Sequence, residues 1–153
     1  MRDTSGWRTT SAAVNVVTAT PSTPVRSDRA SASPDGSPRG YIVHWVDDRP
    51  VGFMVRAASS TLRPGIGAMC SFCHTPQPST QVLMFSAPKG GAAGRDGNTI
   101  GTYLCADLAC SMMIRMLPAT SELTLSRSEV VARRSAGLTE RLQRFTANLL
   151  KTA

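Results

Sequence analysis

The fold of this chain is decided by Cys70-Ser71-Phe72-Cys73 together with Cys105-Ala106-Asp107-Leu108-Ala109-Cys110, which are separated by 31 residues and hold all four cysteines. Two thiolates in a C-x2-C turn can bind one ion, and tetrahedral zinc then needs two more ligands from elsewhere. Cys105 and Cys110 would come from a strand end and from the first turn of a helix, where the helix dipole stabilises a thiolate. The spacing therefore predicts one structural Zn²⁺ with no open coordination position.

Two other interpretations of these cysteines remain open. C-x-x-C also occurs in thioredoxin-like redox sites, so a redox or metal-storage role through labile cysteines is an alternative. His74 directly follows Cys73 and could replace one thiolate, although we expect it to be a neighbour of the site. The other histidine, His44, lies in a predicted strand and is expected to be structural.

Short β-branched and aromatic runs predict antiparallel strands on both sides of the first cysteine pair. The predicted elements are a hairpin over residues 41–57 with a turn at 47–50, a connector at Ser59–Gly67, strands at Gln81–Phe85 and Thr99–Leu104, and a flexible glycine-rich loop at Lys89–Asn98. Asp107 is suited to cap a helix that starts at Leu108 and runs through Met116, before Pro118. This predicts that the second strand of the finger hairpin delivers Cys105 and the helix delivers Cys110.

The last helix is predicted from its start signal. Ser126 and Glu129 fit a capping box, and Leu125 and Val130 fit a hydrophobic staple. Gly137 is expected to weaken or bend the middle of the helix. The apolar stripe consists of Val131, Leu138, Leu142, Phe145 and Leu149, and the arginines expected on a solvated face are Arg133, Arg134, Arg141 and Arg144.

These elements predict an α+β fold in which a small antiparallel sheet and a treble-clef zinc finger with four cysteine ligands are covered by two C-terminal helices. Residues 38–153 would form this domain. Residues 1–37 are rich in Ser, Thr and Pro and are predicted to be a disordered tail, with a short strand at Val14–Val17 as the alternative. The predicted core comprises Ile42, Val51, Phe53, Val55, Val82, Leu83, Phe85, Ile100, Leu104, Ile114, Val131, Leu142 and Phe145.

Composition narrows the classes of partner. Seventeen basic and ten acidic residues give a net charge of +7, which favours acidic partners such as nucleic acid or an acidic protein surface. The bias toward arginine suits bidentate contacts, but it also arises from GC-rich coding sequence. No apolar run reaches the roughly 20 residues of a membrane helix, so we expect no membrane contact. We also expect a cytoplasmic location and a monomer. No Ser/His/Asp or Cys/His catalytic set and no P-loop is visible, so we expect no enzymatic activity.

Several blocks of the sequence carry a family resemblance. Cys70-Ser71-Phe72-Cys73-His74-Thr75 resembles the first zinc knuckle of the elongation factor G-binding (FusB/FBP-type) proteins, in their C-terminal treble-clef zinc-finger domain. Phe85-Ser86-Ala87, the stretch from Gly94 to Tyr103 and the stretch from Leu104 to Ser111 resemble the same domain. The resemblance covers roughly residues 38–153 and is most specific over residues 70–111.

The resemblance implies a function in translation. Family members bind elongation factor G, and the best-studied ones release it from stalled ribosomes and thereby give resistance to fusidic acid. By position, the four cysteines become zinc ligands, and Phe72, Arg95, Asn98 and Tyr103 become candidates for partner contacts. The resistance proteins carry a helical domain before the finger, which residues 1–37 are too short to supply. The alternative function is an RNA- or ribosome-binding zinc finger.

Overall fold

The computed structural model of the protein describes residues 39–116 and 126–151. The predicted tail of residues 1–37, the alternative strand at Val14–Val17 and Leu125 of the staple lie outside the described residues. The strands are β1 Arg39–Val46, β2 Arg49–Thr61, β3 Gly67–Met69, β4 Pro76–Pro78, β5 Val82–Pro88 and β6 Thr99–Cys105. The helices are α1 Gly91–Arg95, α2 Cys110–Met113 and α3 Arg127–Leu150, with a 3₁₀ turn at Ser79–Gln81. Neither described stretch contains a helix with the length and hydropathy of a membrane span.

The first hairpin is confirmed and has a two-residue turn. β1 pairs antiparallel with β2 from Arg39 opposite Arg56 to Val46 opposite Arg49. Asp47 and Asp48 form the turn with φ of 47° and 60°. Two left-handed residues match the twist of a two-residue hairpin, and aspartate tolerates this conformation better than most residues. β2 continues to Thr61, so the predicted connector begins later than expected.

Four strands form one antiparallel sheet in the order β1-β2-β5-β6. β5 and β6 pair from Val82 opposite Cys105 to Pro88 opposite Thr99, as expected for the finger hairpin. The register between β2 and β5 shifts between Ala57 and Thr61, which marks a bulge. The sheet thus joins the N-terminal hairpin to the strand that ends in Cys105.

One face of the sheet packs against α3. The Nε2 atom of His44 lies 2.6 Å from the Oγ1 atom of Thr146, and both side chains are buried. The rings of Phe53 and Phe145 lie 5.6 Å apart between their centroids. This buried sheet face, which includes Val55, therefore packs with α3 to form the hydrophobic core. Its buried members also include Ile42, Ala57, Phe85, Ala87 and Leu104.

The opposite face of the sheet carries exposed aromatic side chains. Tyr41 and Trp45 on β1 are each 48% exposed, and Tyr103 on β6 is 38% exposed. Met84, which pairs with Tyr103, is half-buried. Among residues 39–116 and 126–151, this face is therefore the part of the surface with the most exposed aromatic area.

The capping box of α3 is confirmed. The Ser126 side chain accepts a hydrogen bond from the Glu129 backbone amide at 3.3 Å, and a Glu129 carboxylate oxygen accepts one from the Ser126 amide at 2.8 Å. Hydrogen bonds from the Ser126 side chain and backbone hold the pKa of Glu129 below its usual value. The residues that α3 buries are Val130, Leu138, Leu142, Thr146 and Leu149, while Val131 and Phe145 are only partly buried.

The prediction that all four arginines of α3 lie on a solvated face is wrong for Arg141, whose contact is partly buried, whereas the contact of Arg134 is exposed. Arg134 donates to the carbonyl oxygen of Met116 at 3.0 Å, and the Nε atom of Arg141 donates to the carbonyl oxygen of Phe72 at 2.6 Å. Arg144 does lie on the exposed face, where it pairs with Glu140 at 2.6 Å. The helix therefore uses one arginine to hold the first cysteine turn.

Four local predictions differ from the structure. The helix expected from Leu108 to Met116 is the single turn Cys110–Met113. It starts late because Leu108 adopts a left-handed φ of 55° and cannot be helical, and after Met113 the Arg115 and Met116 amides bond three residues back instead of four. The expected flexible loop at Lys89–Asn98 contains the short helix α1. A two-stranded sheet of β3 and β4 flanks the first cysteine pair, where no strand was expected. Val51, Phe53, Leu83 and Ile100 of the predicted core are only partly buried.

Candidate metal centre

The first cysteine pair lies in the turn between β3 and β4, which we call the knuckle (residues 70–75). The His74 amide donates to the Cys70 carbonyl at 2.9 Å, and His74 itself has a φ of 53°. The Ser71 amide donates to the carbonyl oxygen of Tyr103 at 2.8 Å. This last bond fixes the knuckle to β6, two residues before Cys105.

The second pair is presented by the end of β6 and the start of α2. The Leu108 amide donates to the Cys105 carbonyl, and the Cys110 amide donates to the Leu108 carbonyl, each at 2.9 Å. Leu108 is 2% exposed and its left-handed backbone turns the chain back toward Cys105. Asp107 does not cap at the predicted position, but its carboxylate accepts from the Ala109 amide at 3.0 Å. The tight turn thus brings two cysteines five residues apart to one point.

The four sulphur atoms lie within 4.8 Å of one another. The Sγ atoms of Cys70 and Cys110 are 3.5 Å apart, those of Cys73 and Cys105 are 3.6 Å apart, and those of Cys105 and Cys110 are 3.8 Å apart. A tetrahedron with Zn–S bonds of about 2.3 Å has sulphur atoms about 3.8 Å apart. The cysteines are at most 5% exposed, and all four are free thiols. Their spacing and burial therefore fit one Zn²⁺.

Crowding pushes the pKa values of the four thiols apart. Hydrogen bonds from Cys105 and Cys110 lower the pKa of Cys70 to about 7, and bonds from the same two residues lower the pKa of Cys73. Contact with Cys105, then with Cys70 and Cys73, raises the pKa of Cys110. The hydrogen bond from Cys110 lowers the pKa of Cys105. Contacts with Cys70 and Cys73, together with burial, outweigh that hydrogen bond, so the pKa of Cys105 is raised.

Four buried thiols this close together cannot all ionise without a compensating charge. Negative charge on one thiolate opposes ionisation of its neighbours, so four buried thiolates need a cation among them. An all-cysteine donor set leaves no position for substrate, which is typical of structural rather than catalytic zinc. The side chain of Gln77 donates to the sulphur of Cys105 at 3.2 Å, and such outer contacts orient metal ligands.

Comparison with known proteins agrees with this geometry. The FBP C-terminal treble-clef zinc-finger family matches residues 32–149. The chain belongs to this family. No curated protein and no solved structure matches the chain. Membership in the FBP C-terminal family, together with the four buried cysteines, fits one structural Zn²⁺ and the α+β treble-clef fold predicted from the sequence.

The other sequence-predicted site residues do not lie together. Arg95 and Asn98 are exposed near the tip of the β5–β6 hairpin, and Tyr103 lies four residues along β6 from Thr99, roughly 13 Å away. Phe72 is 2% exposed, and its ring packs edge-on against Phe145 at 5.4 Å between centroids. Its side chain therefore belongs to the core and is not available on the surface for a partner.

Sequence reasoning missed three supports of the metal centre. Gln77 contacts Cys105, 28 residues later, and Arg141 contacts the backbone of Phe72, 69 residues earlier, and no local pattern marks such contacts. Gly40 lies against Leu108, where an added Cβ would be 2.3 Å from a methyl carbon of that leucine. The sequence shows that Gly40 precedes Tyr41 of the predicted hairpin, but it does not show that Gly40 must approach Leu108 closely.

Proposed function

We propose that this chain is a non-enzymatic module that binds translation elongation factor G, with Cys70, Cys73, Cys105 and Cys110 as the ligands of one structural Zn²⁺. The observation that carries the proposal is membership in the FBP C-terminal family over residues 32–149. A zinc-finger family favours a macromolecular partner, and elongation factor G is the partner that the sequence resemblance implies. The proposal further includes that binding releases elongation factor G from the ribosome and gives tolerance of fusidic acid.

The zinc ion would act through the fold and not through chemistry. It would supply a fixed cross-link between the knuckle and the turn after β6. The chain's own residues complete this frame, since Ser71 binds the β6 backbone and Arg141 binds the knuckle backbone. We propose that the β5–β6 hairpin held by this frame offers Arg95, Asn98 and Tyr103 to the factor, while Phe72 supports it from the core.

The direct test is binding of the zinc-loaded protein to purified bacterial elongation factor G, measured by calorimetry at low salt. We expect a 1:1 complex that is weakened by Tyr103→Ala. Tyr41→Ala is the matched control, because Tyr41 is similarly exposed but lies on the strand at the opposite edge of the sheet. Absence of binding by the wild-type protein would refute the proposal. An equal loss in both variants would refute the contact surface.

A second candidate, RNA binding, is favoured by the exposed sheet face. Tyr41, Trp45 and Tyr103 are exposed on this face, and the chain has a net charge of +7. Bases stack on aromatic side chains, and cationic side chains contribute a salt-dependent attraction to phosphates. Single-stranded RNA should then bind at about 50 mM salt and lose affinity in Trp45→Ala. No RNA shift under those conditions would exclude this candidate.

The cytoplasmic location and the absence of catalysis remain predictions.

A further inference from the structure

A cleft of about 250 Å³ lies between the knuckle and the middle of α3. One wall consists of residues 73–76, which begin with the second cysteine of the first pair, and the other consists of one face of the helix. Three arginines line the helical wall, namely Arg133, Arg134 and Arg141, and none of the described residues that line the cleft is acidic. The cleft is therefore a concave site with a concentration of positive charge.

Arg134 and Arg141 are oriented by backbone carbonyls and not by carboxylates, whereas Arg133 lies close enough to Glu129, one turn earlier on α3, to help lower the pKa of that carboxyl. Arg141 donates through Nε to the Phe72 carbonyl, and Arg134 donates through one terminal nitrogen to the Met116 carbonyl. Each bond fixes a guanidinium while its positive charge remains. Arg144 lies about three turns beyond Arg133 on α3 and outside the lining of the cleft, and it shows the contrast with Arg134 and Arg141 because it forms an ion pair with Glu140.

Gly137 keeps the middle of the cleft open. A Cβ placed on this residue would lie 3.0 Å from a terminal nitrogen of Arg141, so any side chain would crowd the guanidinium. Glycine inside a helix lowers its stability by about 1 kcal/mol relative to alanine. A glycine in the middle of a 24-residue helix therefore calls for a local reason. The access it gives to Arg141 supplies one.

We propose that this cleft binds a glutamate or aspartate carboxylate presented by the protein partner. Guanidinium groups bind carboxylates in bidentate geometry, and fixed guanidiniums lose less entropy on binding. Charge complementarity favours a single carboxylate over a phosphate dianion. Four thiolates around Zn²⁺ carry a net charge of −2, so they offset much of the charge of the three arginines. The inference deepens the proposed function, because it assigns an anchoring contact for the same partner.

The first test uses an acetylated tetraglutamate peptide as the probe, with inorganic phosphate as a second arm, on the zinc-loaded full chain. We expect saturable peptide binding that weakens roughly two- to fivefold in Arg133→Gln, the range measured for exposed ion pairs. Arg144→Gln removes the same charge from the same helix outside the cleft and should leave binding unchanged. Equal loss in both variants, or tighter binding of phosphate than of peptide, would overturn the proposal.

A second pair of variants tests the cleft from inside. Gly137→Glu places a carboxylate beside Arg141, whereas Gly137→Gln adds the same volume without charge. We expect peptide binding to be lost in Gly137→Glu and only reduced in Gly137→Gln. We also expect Gly137→Glu to have a higher melting temperature than Gly137→Gln. Equal peptide binding by the two variants would contradict the inference, because the charge would then have no role.

Elongation factor G separates this inference from the proposed function. If the factor binds wild type but binds Arg133→Gln and Arg144→Gln equally, the function stands and the cleft assignment fails. If the factor does not bind but the peptide still distinguishes the two variants, the partner is wrong and the carboxylate site stands.

Discussion

Replacement of Gly40 by alanine tests how tightly the second cysteine pair is held. The new Cβ would lie 2.3 Å from a methyl carbon of Leu108. Non-bonded carbon atoms sit about 3.5–4.0 Å apart, so one of the two residues must move by roughly 1.2–1.7 Å. Leu108 is 2% exposed and forms the turn between Cys105 and Cys110, so it has no free space to enter.

The structure gives the size of the effect. Overpacking of a core by one methyl costs about 1–3 kcal/mol, and in a domain of about 100 residues 1 kcal/mol corresponds to about 4–8 °C in melting temperature. We therefore expect Gly40→Ala to melt about 5–20 °C below wild type. Its displaced turn should also release zinc faster to a competing chelator. Gly67→Ala is the control, because a Cβ there meets no atom within 4 Å, and it should change stability by less than about 0.5 kcal/mol.

A double-mutant cycle identifies Leu108 as the cause. Leu108→Ala alone should cost about 2–5 kcal/mol, but it removes the atom that the new methyl meets. Gly40→Ala should then cost little in the Leu108→Ala background, which gives a coupling energy of about 1–3 kcal/mol. Melting is measured at one buffered zinc concentration, since bound metal contributes to apparent stability. An equal cost of Gly40→Ala in both backgrounds would refute this reasoning.

Three further predictions concern the metal, pH and the start of α3. Cys73→Ser should lower the zinc content from one per chain toward zero and unfold the domain, because structural zinc contributes on the order of 10 kcal/mol; a folded, zinc-free variant by circular dichroism would contradict this. Burial lowers the pKa of His44 from 6.5, with a weaker opposing effect of a backbone hydrogen bond at Trp45, so the unfolded state binds the extra proton. Stability should therefore be fully present above pH 6.5 and fall below it, and the slope should be shallower in His44→Gln; equal slopes in urea titrations would argue against His44. Ser126→Ala should lower the free energy of unfolding by about 1 kcal/mol, whereas Ser135→Ala, in the middle of the helix, should have little effect; equal losses in the two would exclude the cap.

The elements that could be predicted from sequence are those with local chemical signals. The hairpin followed from β-branched runs around an aspartate turn, and the start of α3 followed from Ser126 and Glu129. The cysteine cluster followed from ligand type and spacing. In each case, residues that are near in sequence determine the structure.

The failures occur where distant contacts override local preference. β4 is Pro-Gln-Pro, and proline is a poor strand signal, yet these residues pair with β3 beside the knuckle. The helix after β6 starts two residues later than predicted because Leu108 adopts a left-handed backbone, which brings Cys110 to the cluster. Phe72 lies between two cysteines in a tight turn, and it is buried because its ring packs against Phe145 on α3, a contact that no local pattern predicts.

The attachment of α3 to the knuckle has a consequence for the life of the protein in a cell. Phe145 packs on Phe72, and Arg141 holds the backbone between the first two cysteines, so loss of the metal removes the part of the docking surface of the helix that the knuckle provides. The buried face of the helix, with Leu138 and Leu142, would then become accessible to proteases. Degradation follows the population of such opened states. We therefore expect zinc starvation to lower the abundance of this protein first. The molecules that still hold zinc should keep their affinity for the partner.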